Sequence, residues 1–164
     1  MDVRAIFGID VLMSSVSSVG AATLYVWPQL RRIETERALA VLVAPHLFLR
    51  FIGLSFLVPG VVSPSLPAAF AVPAAYGDLV AGILAIFAVA ALARRSATAR
   101  AAVWLFNVWG AADLVFAGYQ GRHVQLHPGA LGAAFFIVTA LVPPLLVTHG
   151  LIFGLLARPK RIRA

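Results

Sequence analysis

The sequence predicts an all-α fold: a polytopic membrane helix bundle of five transmembrane helices, with the N-terminus outside and the C-terminus inside. Three observations carry that expectation. First, of 164 residues, 62% are hydrophobic and only 12% are charged, and mean hydropathy is +0.96. An average soluble domain carries roughly 25% charged residues. A soluble core of this size could not hide so much apolar surface, which excludes a water-soluble globular domain and a disordered chain alike. Second, apolar stretches recur at close to the ~20 residues that cross a ~30 Å hydrocarbon core. Third, the basic residues gather in alternate connections. Strands of alternating polarity are absent, so a β-barrel is excluded.

The segments follow in order. The first, 6–27, is the weakest, because it holds Asp10 and the serines Ser14, Ser15, Ser17 and Ser18. It could be a span, a cleaved signal or an interfacial helix. A cleaved signal would leave the new N-terminus outside beside Arg31, Arg32 and Arg37, against the positive-inside rule, and Asp10 interrupts the apolar region such a signal needs. A span is the expected reading, and the serines are expected to pack rather than act as nucleophiles. Segments 39–58, 73–92 and 101–119 are clear spans. The last, 130–156, is longer and carries Pro143 and Pro144, which should kink it. The connection 59–72 has no charge and three prolines, and should pack on the bundle rim or form a re-entrant cap. No low-complexity linker divides the chain, so 1–164 reads as one integral membrane domain.

Orientation comes from counting. Arg31, Arg32, Arg37, Arg94, Arg95, Arg100, Arg158, Lys160, Arg161 and Arg163 fall on one side, and Arg4 and Arg122 on the other, with Arg50 inside a span. That asymmetry is a positive-inside signature. The net charge of +7 is therefore a topology signal facing anionic lipid rather than a nucleic-acid footprint. The expected partners are the lipid bilayer, and a second copy or a larger membrane complex. There are no cysteines, so disulfides, thiolate metal sites and iron–sulfur clusters are excluded. Nucleotide-binding loops, zinc-protease motifs and nucleophile elbows are absent too. No catalytic residue is nominated, and an enzyme is not the favoured class.

The informative residues are the polar ones inside apolar spans, because a charge near the bilayer centre costs at least ~2.5–3.5 kcal/mol. At a rise of about 1.5 Å per residue, Arg50 lies roughly 16 Å into its span, Asp78 about 8 Å and Asp113 about 9 Å from the outer boundary. Arg50 can snorkel outward, so the three can meet in the outer half. His46, Asn107 and His149 would form a second, inner polar layer, His46 lying one turn from Arg50. For Arg50, Asp78 and Asp113 two readings stand. One is a clamp that fixes which helices adjoin. The other is a charged pocket for a proton, an ion or an anionic substrate. His46 and His149 either hydrogen-bond within the bundle or ligate a b-type haem from two helices. His123 and His127 have i,i+4 spacing, but Pro128 and Gly129 argue for a loop. Asp78, Ala81, Gly82 and Ala85 form a small-residue stripe, as do Asn107, Gly110 and Ala111, and both permit close helix approach. Gly150 and Gly154 make a G-x-x-x-G pair, which suits internal packing or a dimer face.

The segments HLFLRFIGLSFL (46–57), PAAYGDLVAG (73–82), FNVWGAADLV (106–115) and LVPPLLVTHGLIF (141–153) resemble a group of small bacterial multi-pass membrane proteins of no known activity. The resemblance covers about the last two-thirds of the chain. It implies that Arg50, Asp78, Asn107 and Asp113 are the group's polar positions, with His46 and His149 less regular members. It also implies a location in the bacterial cytoplasmic membrane.

Overall fold

The computed structural model describes residues 2–158, so Lys160, Arg161 and Arg163 lie outside the described residues. Among those described, five helices are long and apolar enough to cross a membrane. They are α1 (Val3–Leu30), α2 (Thr35–Leu57), α3 (Ala68–Ala93), α4 (Ala99–His123) and α5 (Ile137–Leu156). Short turns join α1 to α2 and α3 to α4, longer connections over 58–67 and 124–136 join the others, and neighbours in sequence run antiparallel. One end of the bundle gathers Arg31, Arg32, Arg37, Arg94, Arg95, Arg100 and Arg158. It is called the basic end here, and the opposite end, with the connections around Pro59 and His127, the loop end.

Prolines decide where the helices depart from regular winding. In α2 the regular helix Thr35–Val43 is interrupted at Pro45, resumes over His46–Leu49, and tightens to 3-10 winding over Arg50–Leu57. A 3-10 run of that length is uncommon and rotates the side chains away from the register of an α-helix. In α5, π-helical winding over Ile137–Leu141 precedes the regular helix that starts at Val142. Pro143 and Pro144 thus sit in the first turn of a new helical stretch, where their missing N–H groups matter least. The change of winding stands where a kink was expected. In α3, Pro73 lies inside the helix and cannot donate to the carbonyl of Ala69. The side chain of Gln120 on α4 donates to that carbonyl instead, at 3.1 Å. The helix therefore begins at Ala68, five residues before the expected start at Pro73.

The last helix begins later than expected. Residues 128–134 form a separate 3-10 segment broken at Gly132, whose φ is +55°. A Cβ there would collide with the carbonyl of Val61. That carbonyl accepts from Ala133 N–H at 2.8 Å, and Ser63 N–H donates to Ala130 O at 3.1 Å. The uncharged 59–67 connection is thereby fastened over the loop end, as a rim cover rather than a re-entrant helix.

Two apolar cores result. Near the basic end, Leu39, Leu42, Val43, Ala85, Ala88, Val103, Phe106, Ile152 and Leu155 pack together. Near the loop end, a smaller cluster joins Phe56, Phe70, Ala74, Ala75, Leu131 and Ala134. α1 stands apart. Only 6% of its apolar window is buried inside the protein, against 39% for those of α2 and α3. It leans chiefly on α5, with Leu30 at its end reaching the basic-end core, and its serines bond to its own backbone where they bond at all, as Ser15 does to Val11 O at 2.7 Å.

Candidate functional site

Between the two cores lies the polar cluster. Arg50, at the first turn of the 3-10 stretch of α2, has no exposed surface. Its Nη1 donates to Asp78 Oδ1 on α3 and to Asp113 Oδ2 on α4, the latter at 3.0 Å. Its Nη2 donates to the carbonyl of Gly110 at 2.5 Å and to His149 Nε2 on α5 at 3.1 Å. One guanidinium therefore ties four helices. An unpaired charge at this depth would be costly, and the two carboxylates resolve that cost.

The remaining partners follow from proton accounting. Arg50 can only donate, so His149 Nε2 must accept and the ring proton sits on Nδ1. Nδ1–H then donates to Asn107 Oδ1 at 2.7 Å, while Asn107 Nδ2 donates back to the carbonyl of His149 at 3.2 Å. Thr148 donates its hydroxyl to Leu145 O at 2.7 Å, so it accepts from His46 Nε2–H at 2.9 Å. His46 Nδ1 and Arg50 Nε are buried without a partner. The expectation of two polar layers is corrected here. His149 reaches Arg50 directly, and the inner and outer groups form one network.

Three glycines make room for it. A Cβ on Gly53 would strike the Asp78 carboxylate, and one on Gly77 would strike Asp113. A Cβ on Gly110 would come within 2.6 Å of His149 Cε1 and 2.8 Å of Arg50 Nη2. The bare backbone lets each charged or polar group cross the narrow space between helices. The small-residue stripe holds as read: Asp78, Ala81, Gly82 and Ala85 are all buried. Of the G-x-x-x-G pair, a Cβ on Gly154 would lie 3.2 Å from Trp27 of α1, whereas one on Gly150 would have no neighbour within 4 Å. Internal packing thus accounts for one member only.

The histidine pair does not fit a haem. The rings of His46 and His149 lie in contact, 4.6 Å between centroids, with Phe106 against both. No porphyrin plane can lie between them, and both nitrogens of His149 are already engaged. His123 and His127 are used locally. His123 stacks on Tyr119 at 5.9 Å, and His127 Nδ1 accepts from Gly129 N–H at 3.2 Å.

Asp78 and Asp113 also reach open space. Among α1, α3, α4 and α5 a cavity of about 880 Å³ opens beside them at the loop-end half. Phe7, Phe56, Phe70, Leu114, Leu131 and Val138 line its walls together with the two largely buried aspartates, and the exposed Arg4 and Arg122 stand at its rim. On the other side of the α3–α4 pair runs a shallower groove of about 610 Å³, lined by Pro73, Tyr76, Gly77, Val80, Trp109, Ala112, Asp113 and Phe116. Asp113 borders both. Sequence reasoning missed the groove, the spacing glycines Gly53 and Gly77, and Thr148. Gly77 carried a signal in standing directly before Asp78. Gly53 and Thr148 carried none, since their roles depend on what lies opposite.

Fold and site together define a small all-helical bundle with a buried charge network, five of its helices long and apolar enough to cross a membrane. Residues 6–157 match the family described as Domain of unknown function (DUF8737), and the chain belongs to that family. This agrees with the expected likeness to a group without known activity, although the match names neither a membrane nor a bacterial source. No curated protein and no solved structure matches the chain.

Proposed function

We propose that this is a multi-pass protein of the bacterial cytoplasmic membrane, N-terminus outside and C-terminus inside, that binds or moves a small ligand or ion at Arg50, Asp78 and Asp113. The arginines at the basic end support the orientation by the positive-inside rule. The observation that carries the ligand reading is that both aspartates border the 880 Å³ cavity. Charges that only held helices together would need no opening, whereas ionisable groups inside a membrane bundle commonly mark a ligand or ion path. Typical ligand pockets span roughly 300–1,000 Å³.

Because the chain has no cysteine, single-cysteine variants test this cleanly. In intact cells a membrane-impermeant thiol reagent should label Arg122→Cys and Leu114→Cys, at the rim and wall of the cavity. It should label Arg94→Cys only after lysis, and Ala85→Cys, in the packed core, in neither case. Labelling of Arg94→Cys in intact cells would overturn the orientation, and an inert Leu114→Cys would overturn the open site.

A second reading is an accessory subunit of a membrane complex, in which the same charges only clamp the helices. The complete burial of Arg50 favours it. It requires that Asp113→Asn lose the fold and that neutralising Arg50 as well restore it. The ligand reading requires that Asp113→Asn stay folded.

A further inference from the structure

We infer that the ligand of this site is an organic cation, a protonated or quaternary amine, and that it reaches Asp113 through the groove between α3 and α4; this rests on the ligand reading above. Arg50 has nothing left to offer an anion. Its four terminal N–H groups are taken by Asp78, Asp113, Gly110 O and His149, and its Nε is buried away from any opening. With both carboxylates ionised, the cluster carries one surplus negative charge. Asp113 is the member that can present it. Its side chain is 9% exposed, its Oδ2 takes the bond from Arg50, and its Oδ1 rests over the bare backbone of Gly77 at the base of the groove.

The groove supplies the rest of a cation site. Tyr76, Trp109 and Phe116 line it and remain 55%, 45% and 47% exposed. The indole of Trp109 is anchored by Nε1–H donating to Gly77 O at 3.3 Å, directly beside the carboxylate. Aromatic faces around a carboxylate attract cations by ring quadrupole and charge together. Tyr76, Gly77 and Pro73 lie on α3, and Trp109, Asp113 and Phe116 on α4. No basic residue lines the groove. The larger cavity differs, because Arg4 and Arg122 at its rim repel a cation arriving from water. The lateral route is the one that charge leaves open.

The test uses two ions of matched size and opposite charge, tetraphenylphosphonium and tetraphenylborate, on the detergent-purified full chain. Trp27→Phe with Trp104→Phe leaves Trp109 as the reporter. Tetraphenylphosphonium should quench it saturably and bind about tenfold more tightly than tetraphenylborate, from the charge and cation–π terms combined. Asp113→Asn should lower that affinity about tenfold. Tyr76→Leu and Phe116→Leu, which leave the charge network untouched, should each lower it about threefold. Equal or tighter binding of tetraphenylborate overturns the cation assignment. Binding of the phosphonium that none of these variants weakens is partition into the micelle or lipid-like occupancy, and overturns it too, as does the absence of quenching by either ion. The ligand reading itself is judged separately by the cysteine labelling, which uses no ligand.

Discussion

The two halves of this bundle are built from the same helices and packed in opposite ways. Toward the basic end, α2, α3, α4 and α5 meet through alanine, leucine and valine, with Ala38, Val43, Ala85, Ala88, Val103, Phe106 and Ile152 wholly enclosed. Toward the loop end the enclosed cluster is smaller, and the aspartates of the polar layer look onto a cavity and a groove. The difference teaches where stability and function divide. Close packing in one half holds the helices in place, so that the other half can leave space beside charged groups. The polar network sits at the boundary and belongs to both.

Breaking that boundary should have the largest effect. Arg50→Met leaves two carboxylates without their shared cation and should cost about 4 kcal/mol in a reversible unfolding titration. Adding Asp78→Asn and Asp113→Asn should recover most of the loss. Next come the two apolar halves. Phe106→Ala should cost about 3–4 kcal/mol, whereas Leu114→Ala, at a wall that already faces a cavity, should cost about 2 kcal/mol, as measured by the same titration. Equal costs would mean that the halves are packed alike. A smaller effect is expected at the spacing glycines. Gly77→Ala should push the Asp113 carboxylate aside at a cost of about 1–3 kcal/mol, and a like change at Gly8, which has open space around it, should cost far less. The smallest is Gln120→Leu, which removes the donor to Ala69 O and should cost about 1 kcal/mol or less, with faster amide exchange at the start of α3 as the sensitive readout.

How much of this was legible in the chain depended on the kind of interaction. The number of long apolar helices and the ionisable members of the polar cluster follow from local composition, since a charge in an apolar run must be paired wherever it lies. The meeting of Arg50 with Asp78 and Asp113 was foreseeable from depth and snorkelling alone. The ends of α3 and α5 were not. Pro73 reads as a boundary, but a carbonyl orphaned by proline can be served by a side chain from another helix, here Gln120. Residues 130–136 read as the start of a span, but the contact of Gly132 with Val61 bends them onto the loop end.

The sequence by itself determined a strongly apolar helical chain, its segmentation, its charge asymmetry and a short set of residues that had to find partners, because hydropathy and the cost of unpaired charge act residue by residue. Only the tertiary structure decided that the two polar layers are one. It also set the histidine rings in contact and opened space beside Asp78 and Asp113. Those outcomes depend on how α1, α3, α4 and α5 are spaced around the cavity and on which helix faces a bare glycine. Both are distances between segments far apart in the chain, which no local pattern specifies.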